Sequence, residues 1–251
     1  MTRWNKMTRY LAGIALLYAQ TLSAGEVKIA VAANFTAAMK EIAANFEQSS
    51  RHSTVISYGS TGKLYTQIRH GAPFEVFLSA DQKRPTQLEI DSLASDRFTY
   101  AIGQLVLWSN NRQLQPSEAL LRQAAFNKLA LANPKTAPYG SAAVTVLKRL
   151  KLDKALRNKW VMGDSIAQTY QFVATSNADI GFIAMAQIAL NDSGKYWQIP
   201  VDLYEPIRQD AVLLSKGQNN PAAVAFMDYL KGPAAQMIIE RFGYNTAGPD
   251  Y

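Results

Sequence analysis

Val27-Lys28-Ile29-Ala30-Val31-Ala32-Ala33-Asn34-Phe35-Thr36-Ala37-Ala38-Met39-Lys40-Glu41-Ile42-Ala43-Ala44-Asn45-Phe46 joins two hydrophobic periods within one short stretch. Val27 to Val31 is a brief apolar run that reads as a strand. Phe35, Met39, Ile42 and Phe46 then recur at spacings of four, three and four, which is one face of a helix. Asn34 falls between the two, where a helix N-cap belongs. The same strand-to-helix unit returns at once. Residues 54–58 read as a second strand, followed by Gly59-Ser60-Thr61-Gly62 and a helix with Leu64 and Ile68 turned inward.

The alternation continues along the chain. Residues 74–78 read as a third strand and 81–93 as a helix; 99–108 reads as one long strand and 129–132 as a short one. A helix is expected over 140–151, strands at 160–162 and 180–183 with a helix at 165–175 between them, and a strand at 211–214. Helices at 221–230 and 233–242 finish the chain. Strands alternating with helices define an α/β protein. The length suits two lobes with the chain crossing twice, near 100–106 and near 207–214. Lobe 1 is expected to combine 26–102 with 212–251, and lobe 2 to hold 103–211.

The N-terminus has the three-part build of a secretory signal over residues 1–24. Arg3, Lys6 and Arg9 are its basic part, residues 10–19 its uncharged and mostly apolar part, and Thr21-Leu22-Ser23-Ala24 its small-residue end. The apolar part falls short of the roughly 20 residues that span a bilayer. No Cys follows, which excludes a thiol-linked lipid anchor. Loss of this segment removes three basic residues and no acidic one, so the net charge falls from +7 to +4. That excess implies no nucleic-acid partner, which would require a basic stripe with stacking aromatics. The Lys148-Arg149-Leu150-Lys151 cluster reads as a solvated helix face.

Catalytic vocabulary is sparse. With no cysteine there is no disulfide, thiolate metal site or cysteine nucleophile, and two histidines, His52 and His70, cannot build a histidine-rich metal cage. No Gly-x-Ser-x-Gly elbow accompanies either one. A phosphate-binding loop fails at Gly59-Ser60-Thr61-Gly62-Lys63, because Ser57 stands where its first glycine belongs and Leu64 where Ser or Thr should hold magnesium.

Asn34 and Ser60-Thr61-Gly62 mark two parallel strand-to-helix junctions. Free N–H groups and the positive end of the helix dipole make such a junction an anion site without any formal charge, although ordinary capping explains each one taken alone. Ala137-Pro138-Tyr139-Gly140-Ser141 and Gly163-Asp164-Ser165-Ile166 precede two later helices. The former presents the Tyr139 and Gly140 amides; in the latter Asp164 or Ser165 caps, and turn chemistry accounts for both stretches equally.

These loops resemble those of the periplasmic molybdate-binding proteins. The likeness lies in Ala32-Ala33-Asn34-Phe35, Ser60-Thr61-Gly62-Lys63-Leu64, residues 71–81 (Gly-Ala-Pro through Ser-Ala-Asp) and Asp228-Tyr229-Leu230-Lys231-Gly232-Pro233, and spans about 26–244. It implies a type II periplasmic-binding-protein fold, two lobes joined by two crossovers with the ligand in the cleft. It also implies a monomeric, non-enzymatic periplasmic receptor that delivers molybdate or tungstate to an ABC transporter permease, with no cofactor and no directly coordinated metal. Position by position, Asn34 matches a small polar donor, Thr61 a hydroxyl and amide donor, and Tyr139 and Ile166 main-chain N–H donors. The sequence departs from the family at Ala184, where some members carry a tyrosine hydroxyl; Asn34 or the neighbouring Ala33 amide is the additional donor expected to complete the shell.

A tetrahedral dianion in a dry cleft is satisfied by about six or seven neutral donors, each contributing roughly 1.5–3 kcal/mol. Lys63, Arg69 and Lys135 are then expected to be surface charges that favour approach, and Asp81 and Asp164 helix caps. The alternatives are another oxyanion or small anion, and a secreted hydrolase using Asp81, Asp164 and His70. An organic acid would usually bring a bidentate Arg, and the four loops contain none.

Overall fold

The computed structural model describes residues 24–190 and 194–246, so all of the expected signal sequence except Ala24 lies outside the described residues, as do 247–251 of the expected first lobe. The strands, in chain order, are β1 (Glu26–Ala32), β2 (Ser53–Gly59), β3 (Val76–Leu78), β4 (Ala94–Gly103), β5 (Leu105–Ser109), β6 (Leu129–Ala132), β7 (Trp160–Gly163), β8 (Ile180–Ala184), β9 (Lys195–Gln198) and β10 (Ile207–Leu214). The α-helices are α1 (Thr36–Ser50), α2 (Thr61–Arg69), α3 (Lys83–Ile90), α4 (Glu118–Gln123), α5 (Pro138–Arg149), α6 (Ile166–Ala174), α7 (Pro221–Lys231) and α8 (Pro233–Arg241).

Two five-stranded mixed sheets organise these elements, in the orders β2-β1-β3-β10-β4 and β7-β6-β8-β5-β9. The α1 face read from the sequence is buried: Met39, Ile42 and Phe46 pack with Val27, Ile29 and Val31 of β1 and with Phe226 of α7. The second sheet has its own core, in which Leu129, Leu131, Ile180 and Phe182 meet Val146 and Leu147 of α5.

Three details differ from the sequence expectation. The single strand expected over 99–108 is two strands, because the chain leaves one sheet at Gly103 and enters the other at Leu105. β10 is longer than expected and pairs with β4 from Ile207↔Gly103 onward, so the return crossing lies between Gln198 and Ile207. This puts 207–211 in the first sheet, ahead of the boundary expected at 212. The edge strand β9 and the short α4 carry too little apolar periodicity to be read; β9 is exposed at Lys195, Tyr196 and Gln198.

Register places the site. The β1–β2 ladder ends with Ala32↔Gly59, and the β6–β7 ladder ends with Ala132↔Gly163. Both parallel pairs therefore finish level, and each of the four strand ends runs into a helix: α1 by way of a 3-10 turn at Ala33–Phe35, then α2, α5 and α6. In α5, Pro138 occupies the first turn, where its missing N–H costs nothing. Gly140 follows against the end of β6, where a Cβ would stand 2.1 Å from the Ala132 carbonyl oxygen. Gly140→Ala is expected to destabilise the protein by about 1–3 kcal/mol, since a backbone clash cannot be relieved by a rotamer change. A urea unfolding series checks this.

Candidate functional site

The four strand-to-helix junctions face one another across the two sheets and enclose a cavity of about 10 Å³. Ala33, Asn34, Ser60 and Thr61 line it from the first sheet, and Ala137, Tyr139 and Ile166 from the second. All five residues singled out from the sequence (Ala33, Asn34, Thr61, Tyr139 and Ile166) are therefore at one place. No charged side chain lines the cavity, and the space admits one compact group.

What each residue can donate follows from its other partners. Thr61 is 1 % exposed, and its Oγ1 accepts from the Ala80 N–H at 3.1 Å, which leaves its hydroxyl proton for another acceptor. Its own N–H opens α2, as Tyr139 and Ile166 lie in the first turns of α5 and α6. First-turn amides have no acceptor within their helix, and neither α2 nor α5 has a side chain capping it. α6 is capped by Ser165, whose side chain accepts from Gln168 N–H.

Asn34 is more constrained than the sequence suggested. Its side-chain amide donates to Gln209 Oε1 at 2.8 Å and to Tyr244 Oη at 3.0 Å. Both side-chain N–H bonds thus serve the protein, and its main-chain N–H is what remains for the cavity. Tyr244 in turn donates its hydroxyl to the Asn34 carbonyl at 2.9 Å. Beneath the cavity Gln209 accepts from Tyr100 Oη at 3.2 Å and donates to Tyr139 Oη at 3.3 Å. This buried cluster joins the return strand β10 and the C-terminal segment to loops of both lobes. Gln209 and Tyr244 carry no local sequence signal, since each lies far along the chain from the loop it holds.

Ser60 was also not singled out. It lines the cavity at 4 % exposure, and its Oγ has no hydrogen-bond partner among the described residues. Ala184, the position of the missing tyrosine, is buried in the second core with its N–H bonded to Gln187 Oε1 at 3.0 Å.

Charges sit around the cavity. Lys63, expected as a surface charge, is half exposed and pairs at 2.8 Å with Asp164, expected as a cap. The pair spans the gap between lobes, because α2 and the β7–α6 loop belong to different sheets, and Ser165 does the capping instead. Two further contacts cross nearby: Gly62 N–H to the Thr136 carbonyl at 2.8 Å, and the Arg84 guanidinium to the Lys135 carbonyl at 3.0 Å. Asp81 accepts from the Arg84 N–H at 3.0 Å at the start of α3, as expected of a cap, and also pairs with the Arg84 side chain. Arg69 pairs with Asp91. Lys83, Arg84, Lys135 and Arg208, together with Asp81 and Glu205, line a larger groove of about 450 Å³ that meets the cavity at Ala80 and Pro138; its charge is net positive. Among the described residues no group of three or more His, Asp or Glu side chains is placed to hold a metal ion.

The phenols of Tyr100, Tyr139 and Tyr244 are pushed well above the usual 10.0, chiefly by burial, which disfavours the phenolate. Below that value both folded and unfolded chains keep these protons. Above it the unfolded chain releases them while the folded chain holds them, so stability falls as pH rises. The expected outcome is a urea midpoint insensitive to these groups near neutrality and declining above about pH 10.

Two lobes, two crossovers and an enclosed cavity between strand ends define a solute-binding protein. The chain belongs to the bacterial extracellular solute-binding proteins, whose family model matches residues 27–245. This is a family of binding proteins and not of enzymes, working outside the cytoplasm. The chain is 53 % identical over 234 residues, 91 % of its length and 93 % of the other, to the molybdate-binding protein ModA of Azotobacter vinelandii. It is 46 % identical over 226 residues to that of Rhodobacter capsulatus, covering 89 % and 90 % of the two chains. Among solved structures, the Azotobacter vinelandii periplasmic molybdate-binding protein matches with a TM-score of 0.85 at 38 % identity, over 88 % of this chain and all of that one. The fold is the two-lobe type II binding-protein fold.

Proposed function

We propose that this protein is the periplasmic receptor of an ABC importer for molybdate or tungstate, exported by its N-terminal signal sequence and acting as a monomer that hands its anion to the permease. One observation supports it above the others: a cavity free of charged side chains and sized for one compact group, lined by residues of four helix starts, in a chain 53 % identical to a molybdate-binding protein.

In this mechanism the anion is held by the Thr61 hydroxyl and by the main-chain N–H groups of Ala33, Asn34, Thr61, Tyr139 and Ile166. In a dry site each donor counts for more than it would in water. The two parts of the chain, 26–103 with 207–246 and 105–198, close on the anion as lobes, and the three contacts across the rim form as they meet. A cavity of set radius selects by size, because a smaller anion leaves buried donors unmatched. The basic groove beside the cavity raises the local anion concentration and so the rate of capture.

Thermal denaturation with each anion tests this. Molybdate and tungstate are expected to raise the melting temperature, as any ligand of the native state does, while sulfate and phosphate leave it unchanged. An equal response to all four anions, or to none, refutes the proposal. Isothermal titration of two variants tests the donor set. Thr61→Val is expected to weaken molybdate binding by about 1.5–3 kcal/mol, the contribution of a hydrogen bond to a charged group. Lys63→Ala removes an ion pair whose side chains are 53 % and 72 % exposed, so at moderate salt it is expected to change affinity by less than about 1 kcal/mol. A large loss in Lys63→Ala would show that formal charge holds the anion.

A further inference from the structure

Ser60 stands at the N-cap of α2, and its hydroxyl is not used there. The residue has the extended backbone of a cap, with φ −68° and ψ 141°, and its carbonyl already accepts from Leu64 N–H at 3.0 Å. A serine so placed ordinarily turns its Oγ onto an N–H of the first helical turn, yet here no such bond forms. The Oγ is fully buried, has no partner among the described residues and belongs to a residue that lines the cavity. A buried hydroxyl without a partner lowers the stability of the empty protein. That arrangement makes sense if the group serves an acceptor that arrives from outside.

We infer that the Ser60 hydroxyl is a direct ligand-binding group, donating to the bound oxyanion beside Thr61; this rests on the molybdate assignment above. Ser60 then supplies the hydroxyl that Ala184 does not. The first lobe carries both side-chain donors, as adjacent residues at the start of one helix. The second lobe contributes main-chain N–H groups alone. The hydroxyl acts on the anion and on nothing else, which separates it from a capping or packing role.

The test is isothermal titration with sodium molybdate, together with melting of the ligand-free protein, for wild type, Ser60→Ala, Ser60→Gly and Thr61→Val. Glycine is itself a good N-cap and keeps the question open to measurement should the alanine variant fail to fold. Loss of Ser60 is expected to raise the dissociation constant for molybdate roughly ten- to a hundredfold. The ligand-free melting temperature of Ser60→Ala stays at or above that of wild type, because no bond within the protein is broken. Wild-type affinity in both Ser60 variants, with Thr61→Val weakened, overturns the inference and leaves the molybdate assignment standing. A fall in ligand-free stability that accounts for the weaker binding also overturns it, since Ser60 would then be structural. A wild-type protein that fails to bind molybdate or tungstate overturns the assignment itself and this inference with it.

Discussion

The first N–H groups of an α-helix have no carbonyl within their own helix to bond, so each helix start must find its acceptors elsewhere. In this protein four helix starts are brought to the wall of a single cavity. The starts of α1 and α2 are brought together by the level ends of β1 and β2, those of α5 and α6 by the level ends of β6 and β7. The two pairs then face each other across a cavity of about 10 Å³. Most of the remaining architecture keeps these four points in register: two separate cores, two crossovers, and a return strand that completes the first sheet.

The neutral donor set proposed for the cavity needs support, because an amide aimed a little wrongly is a weak donor and has no charge to compensate. Beneath the cavity that support is the cluster of Asn34, Gln209, Tyr100, Tyr139 and Tyr244. Fully satisfied buried networks of this kind are rigid. Its members come from β1's loop, β4, the start of α5, β10 and the segment after α8, so no stretch of chain holds the loop geometry alone. The phenol of Tyr139 is tied to Gln209 at the crossing strands, which links the second lobe's loop to the first lobe's sheet at the hinge.

Charge is kept at the periphery. The basic side chains of the neighbouring groove and the Lys63–Asp164 pair lie outside the cavity wall. In the proposed function they act on approach and closure, where screening by salt is strong. In the proposed function the cavity itself relies on dipoles in a medium that screens them little. Hydroxyls at Ser60 and Thr61, side by side at the start of one helix, place two groups of the same chemistry under different constraints. Thr61 is oriented by the Ala80 N–H, while Ser60 Oγ has no partner among the described residues.

The sequence by itself determined the alternation of strands and helices, the lack of cysteine and the scarcity of histidine, and the stretches able to start a helix beside a strand end. These are local properties: a period of 3.6 or 2, a cap or a glycine can be read within a few residues. The resemblance of the loops was enough to pick out Asn34, Thr61, Tyr139 and Ile166, which the fold brings together. Only the tertiary structure decided how each is used. It committed the Asn34 side chain to Gln209 and Tyr244, joined Lys63 to Asp164 across the gap, split the strand expected over 99–108 between two sheets, and left the Ser60 hydroxyl without a partner among the described residues. Those outcomes depend on residues far apart in the chain, up to 210 positions for Asn34 and Tyr244. A hydrogen bond is settled by where its competitors stand, and no pattern along the chain records that.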